Sequence, residues 1–190
     1  METMQEIYNE AEKYYGDSVR KITAIDTISR KKTGRTIEGD LMLKQFDVIL
    51  QAVLLTEALI DGRFHRREVM FIDLLAKHGD LLKTISEATG GELQMTWTDI
   101  ACLDEETQMK LTGILPGILD KTCRSFVSVM AEVDKDAESI DVLKDITTNI
   151  GHICACLSAF DGESVKKESK AAGAMVSALL YQRWKAVLDS

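Results

Sequence analysis

Phe46, Ile49, Leu50, Val53, Leu54 and Ile60 recur at the spacing of one helical face, and Val48, Ala52, Leu55 and Leu59 make a second face on the same helix. A helix that is apolar nearly all round must be buried, so 41–61 is predicted as the centre of a bundle. A later stretch carries Ile146, Ile150, Ile153 and Leu157 on one face only, with Thr147, Thr148, Asn149, His152 and Ser158 elsewhere. That pattern predicts a one-sided helix nearer the surface. Strand-like alternation flanked by turn residues is absent, and the chain holds one proline, Pro116. The reading is all-α, with helices at 2–15, 17–32, 41–61, 65–87, 104–134 (bent near Gly113 and Pro116), 138–160 and 164–188. Breaks are expected at Gly34 to Gly39, Gly62, Gly90-Gly91 and Gly162. No linker is long or proline-rich enough to separate independent domains, which predicts a single domain over 1–190.

Both apolar helices end alike. The first runs Ala58-Leu59-Ile60-Asp61-Gly62-Arg63-Phe64-His65-Arg66-Arg67-Glu68, and the second runs Ser158-Ala159-Phe160-Asp161-Gly162-Glu163-Ser164-Val165-Lys166-Lys167-Glu168. Asp, Gly and Glu coincide at an offset of one hundred residues, as do Phe46/Ile146, Leu50/Ile150 and Val53/Ile153. The expectation is an internal repeat, about 41–87 and about 138–188, preceded by N-terminal helices over 1–40 and packed as a pseudo-symmetric pair of helix–turn–helix units.

This unit resembles the tellurite-resistance TerB family and the related domain at the start of a membrane-anchored DnaJ-type co-chaperone, most closely over Leu54 to Glu68. Members of that family tend to place Asp, Ser or Thr before the second helix, where this chain has His65 and Val165. The resemblance covers roughly 41–180 and implies an all-helical, two-repeat fold, in keeping with the bundle of about seven helices read from the pattern. It also implies an acidic site on the Asp-Gly turns and a role in metal-oxyanion or envelope stress.

The Asp-Gly turns admit two readings. Glycine is the usual residue after a helix, so Gly62 and Gly162 serve as structural turns without a ligand. With His65 at the N-cap, Glu68 falls at N3, where its carboxylate reaches back to a backbone N–H, and Phe64 and Val69 form the flanking hydrophobic staple. Asp61 and Asp161 fit this less well, because the helix macrodipole disfavours negative charge at a C-terminus. Glu57 lies one turn before Asp61 on an apolar stripe, where a carboxylate is costly unless partnered. Glu57, Asp61, Glu68, Asp161 and Glu168 are therefore the candidate ligands for a divalent cation (calcium, magnesium or manganese), with an arginine such as Arg63, Arg66 or Arg67, or a helix-opening N–H, as the alternative counter-charge. A true calcium EF-hand is excluded, because the third loop position would be Leu59 and, in the second copy, Ala159, which offer no side-chain oxygen.

Other clusters carry less. His152-Ile153-Cys154-Ala155-Cys156 invites a metal reading, yet on a helix Cys154 points away from the face shared by His152 and Cys156, so packing cysteines are the better account. The basic run Ser29 to Arg35 fits a solvated helix end. Trp97, Trp184, Tyr181 and Met175 are expected in core or subunit contacts, and Glu132, Asp134, Asp136, Glu138, Asp141 and Asp145 at an exposed helix junction.

Composition narrows the function. Of 190 residues 45% are apolar, and 23 basic against 31 acidic side chains give a net charge of −8, which argues against nucleic acid as the main ligand. Val48 to Ile60, the most apolar stretch, is interrupted by Gln51, Thr56 and Glu57 and is too short for a membrane span. The opening Met1 to Glu6 is polar and acidic, unlike an export signal. Four cysteines are too few for a disulfide scaffold of this size, which places the chain in the cytoplasm with reduced thiols. No P-loop, dinucleotide fingerprint, Gly-x-Ser-x-Gly elbow or His-Glu-x-x-His is present. No catalytic residue is assigned. The expected function is a non-enzymatic binding module that holds a cation or a basic partner segment, or that forms a homodimer. The alternatives are a metal-assisted hydrolase using the same carboxylates and a purely structural homo-oligomer.

Overall fold

A computed structural model describes residues 3–33, 39–59, 64–133 and 137–161, with residue 182. These residues form seven α-helices and no strand: α1 Met4–Thr33, α2 Gly39–Ala58, α3 Arg66–Leu75, α4 Leu81–Ala88, α5 Trp97–Ile100, α6 Glu105–Val133 and α7 Ala137–Asp161. The all-α reading holds. The expected helix at 164–188 lies outside the described residues.

Helix α2 is the centre. It touches α1, α3, α4, α6 and α7, and its expected apolar faces are buried from Phe46 to Leu55; Leu59 is half-buried past the end of the helix, and Ile60 lies outside the described residues. Around it α1 pairs lengthwise with α7, and α6 lies along α2. The short α5 rests on α3. Phe46, Leu50 and Val53 of α2 and Ile146, Ile150 and Ile153 of α7 all belong to one core cluster that runs from Ile7 to Phe160.

Two element boundaries and the exposure of one helix differ from expectation. The break between 15 and 17 is not there. Ile7, Ala11, Tyr15, Ser18, Ile22 and Ile25 form an unbroken buried stripe at spacings of three and four, and its packing carries α1 through Gly16, since a single mid-helix glycine disfavours a helix by only about 1 kcal/mol. The helix expected over 65–87 is instead two helices, α3 and α4, separated at Ala76 to Asp80. Helix α7 is also less one-sided than its pattern implied. Thr147 and Asn149 are buried, and the Asn149 amide donates to Asp17 Oδ2 at 2.9 Å and to Ser18 Oγ at 3.1 Å. A second face of α7 is therefore covered by α1.

Helix α4 stops where expected, at Gly90 and Gly91, whose φ angles of 62° and 86° lie in the left-handed region. Gly91 N–H closes on Ser86 O at 2.8 Å, satisfying one of the carbonyls that a helix end leaves over. Helix α6 runs through Pro116, which sits on its exposed side while Leu111, Leu115 and Leu119 face the core.

Candidate functional site

Two arrangements of buried polar side chains stand out, one at the last turn of α2 and one at its middle. The first involves Glu57 in the last turn of α2. It is 7% exposed, and its Oε1 accepts from Ser158 Oγ of α7 at 2.9 Å. The Cys154 thiol, one turn earlier on α7, lies against the same carboxylate. Burial, followed by the Glu57 charge, pushes this thiol well above its ordinary value, which favours the neutral thiol in this packed interface. The carboxylate on an apolar stripe has thus found its partners across the helix interface.

The second half of the expected site is a cap. Glu68 Oε2 accepts from the His65 backbone N–H at 3.0 Å, and His65 holds extended backbone angles ahead of α3. Phe64 and Val69, the expected staple, are both buried. One Glu68 oxygen is therefore committed to the start of α3. Asp61, Gly62, Gly162 and Glu168 lie outside the described residues. Asp161 closes α7, with its side chain likewise outside them. Among the described residues no group of three or more His, Cys, Asp or Glu is placed to hold a metal ion. In the His-x-Cys-x-Cys stretch, Cys154 and Cys156 are buried, whereas His152 is exposed and stacks on Tyr14 with ring centres 4.5 Å apart.

The other arrangement was not anticipated from sequence. Asp47 and Gln51, one turn apart on α2, are 0% and 2% exposed. Asp47 Oδ2 accepts from the backbone N–H groups of His78 and Gly79, the latter at 2.9 Å, and Asp47 Oδ1 accepts from Tyr15 Oη of α1 at 3.0 Å. The same tyrosine oxygen accepts from Lys77 N–H at 3.2 Å. Gln51 Oε1 accepts from Leu81 N–H at 2.9 Å. Asp80 then caps α4 by accepting from Lys83 N–H at 3.1 Å. The backbone donors Lys77, His78 and Gly79 belong to the segment that divides α3 from α4, and Leu81 opens α4, so α1 and α2 satisfy backbone groups that a continuous helix would have satisfied internally. Gly79 is obligatory here for space. A Cβ would stand 2.4 Å from Lys44 O and 2.8 Å from Asp47 Cβ.

A signal for this knot existed. Asp47 interrupts Phe46-Val48-Ile49-Leu50 as abruptly as Glu57 interrupts its own stripe, and Gly79-Asp80 is a glycine followed by a good N-cap residue. On either side of the knot lies a cleft. One of about 600 Å³ is lined by Gln51, Asp73, Lys83, Gln94, Met95 and Trp97 among others. The other, of about 720 Å³, opens between α2, α4 and α6. No helix among the described residues is long and apolar enough to cross a membrane. No protein-family model, no curated protein and no solved structure matches the chain.

Proposed function

We propose that the chain is a non-enzymatic binding module of the TerB type, whose paired Asp-Gly corners hold a divalent cation or a basic partner segment. The observation that supports this is the Ser158–Glu57 hydrogen bond, which draws the last turns of α2 and α7 together. In the sequence an Asp-Gly dipeptide follows close on each of these turns: Asp61 comes four residues after Glu57, and Asp161 three after Ser158. Two negative groups that follow neighbouring helix ends along the chain call for positive charge nearby, and carboxylate oxygens favour hard cations such as calcium, magnesium or manganese. Glu57 and Glu68 contribute from behind, because each already accepts a hydrogen bond within the protein. The innermost ligands on this reading are Asp61 and Asp161, with Glu168 beside them.

Isothermal titration of the full chain with calcium, magnesium, manganese and zinc tests the cation version. Saturable heat with a hard cation, lost in Asp61→Asn combined with Asp161→Asn, supports it. If no metal gives heat, a short oligolysine peptide replaces the metal in the same titration. Failure of both probes overturns the acidic corner as a binding site.

A further inference from the structure

The cleft of about 720 Å³ between α2, α4 and α6 is independent of the acidic corner, and its chemistry is the reverse. Its apolar lining includes the exposed Leu41 and the buried Val48 and Ile118, and Lys44, His78, Lys83 and Lys121 also line it. Two carboxylates share the lining, Asp80, which caps α4, and Glu87, 4.0 Å from Lys83; against the three lysines they leave the lining positive. Among the described residues neither Lys44 nor Lys121 has a carboxylate within ion-pair distance. In a chain of net charge −8, a half-apolar cleft with more lysines than carboxylates in its lining is a local inversion of sign. At physiological salt, exposed charges more than about 8 Å away are largely screened, so these lysines set the potential that a small ligand meets.

The cleft is also built in advance. Asp47 and Gln51 fix the backbone of His78, Gly79 and Leu81 to α2, which sets the start of α4 against Lys44. On the other wall the Gln45 amide donates to Ser125 Oγ at 2.6 Å, tying α2 to α6 one turn beyond Lys121. Gln45 Oε1 is buried with no hydrogen-bond partner, which leaves one end of this cleft-lining amide unsatisfied. A volume of this size, part apolar, with a few convergent polar groups on fixed elements, has the character of a small-molecule site.

We infer that this cleft binds an amphipathic anion, a carboxylate, sulfate or phosphate head on a short apolar chain. The head sits between Lys44 and Lys121, and the chain lies along Val48 and Ile118.

The test is a titration of the isotope-labelled full chain with octanoate, octyl sulfate and octyl phosphate, followed by amide chemical shifts, with octanol, octylamine and inorganic phosphate as controls. The expected result is saturable shifts confined to α2, α4 and α6. Octanol and octylamine should bind at least about tenfold more weakly, the loss expected for about one charge contact at each of two surface lysines. Lys44→Glu with Lys121→Glu should weaken the octyl anions by a similar factor, and Lys44→Arg with Lys121→Arg should retain them. Both lysines are exposed, so the reversal leaves the core intact, and an unchanged urea midpoint verifies this. Co-sedimentation with vesicles of anionic but not zwitterionic phospholipid would assign the head group to a membrane lipid, whereas binding of the free anions alone assigns it to a soluble amphiphile. The inference is overturned if no octyl anion binds, if octanol or octylamine binds equally well, if the shifts fall outside the cleft, or if charge reversal changes nothing.

Discussion

Gly79 shows how a single position can carry a tertiary decision. Its neighbours are backbone and a buried Cβ, not the flexible end of a side chain, so a methyl group there cannot be accommodated by a rotamer change. Gly79→Ala should lower the unfolding free energy by roughly 1–3 kcal/mol, the usual range for overpacking a filled site. Gly113→Ala is the matched control. It lies inside α6 with nothing within 4 Å of a new Cβ, so it should stabilise by up to about 1 kcal/mol through helix propensity alone. Urea midpoints moving in opposite directions for the two variants would verify the assignment, and equal midpoints would refute it. The same buried backbone explains why Asp47 escaped notice in the sequence. Its partners are main-chain N–H groups thirty-one and thirty-two residues away, which no side-chain pattern reveals.

Helix α3 separates the two readings of Glu68. As an N3 carboxylate holding the His65 N–H, it is worth about 1 kcal/mol to the start of the helix. Glu68→Ala should therefore lower stability by that amount, and Glu68→Gln, which keeps the acceptor, should lose much less. If the metal were the main reason for this residue, Gln would instead fail as badly as Ala in cation titration while stability stayed unchanged. Periodicity read the long helices correctly where packing and pattern agree. Helix α6 was expected over 104–134 and spans Glu105–Val133, and α7 was expected over 138–160 and spans Ala137–Asp161. It failed at Gly16, where a local breaker is overruled by an unbroken core stripe. It also failed at Ala76 to Asp80, where a helical pattern is overruled by acceptors reaching in from α1 and α2.

The molecule as a whole is organised around a central helix that carries three buried polar side chains, Asp47, Gln51 and Glu57. Burial is the largest influence on Asp47 and holds its carboxyl above the ordinary carboxylate range, against the lowering effect of the His78 and Gly79 N–H groups and the Tyr15 hydroxyl. The fold thus binds a proton at Asp47 more tightly than the unfolded chain does. The contribution of this group to stability is fullest below about pH 4, the unfolded value, and is lost as pH rises through the folded value. Asp47→Asn keeps the shape and cannot ionise. The stability of the wild type relative to this variant should therefore fall between about pH 4 and neutrality in urea unfolding. A relative stability that rises over that interval would mean that the three hydrogen bonds outweigh burial. Glu57 lies in the last turn of α2 and the lysine-lined cleft beside its first half, so the two ligand tests are separable.

An all-helical bundle, its central helix, the cap at Glu68 and the need of Glu57 for a partner were all readable along the chain, because each follows from spacing or from the cost of a charge on an apolar stripe. The choice of Ser158 and Cys154 as the neighbours of Glu57, the division of α3 from α4, and the sign of the cleft beside α6 were not. These depend on which groups distant in sequence arrive at one place, and periodicity within a helix contains no record of that arrangement.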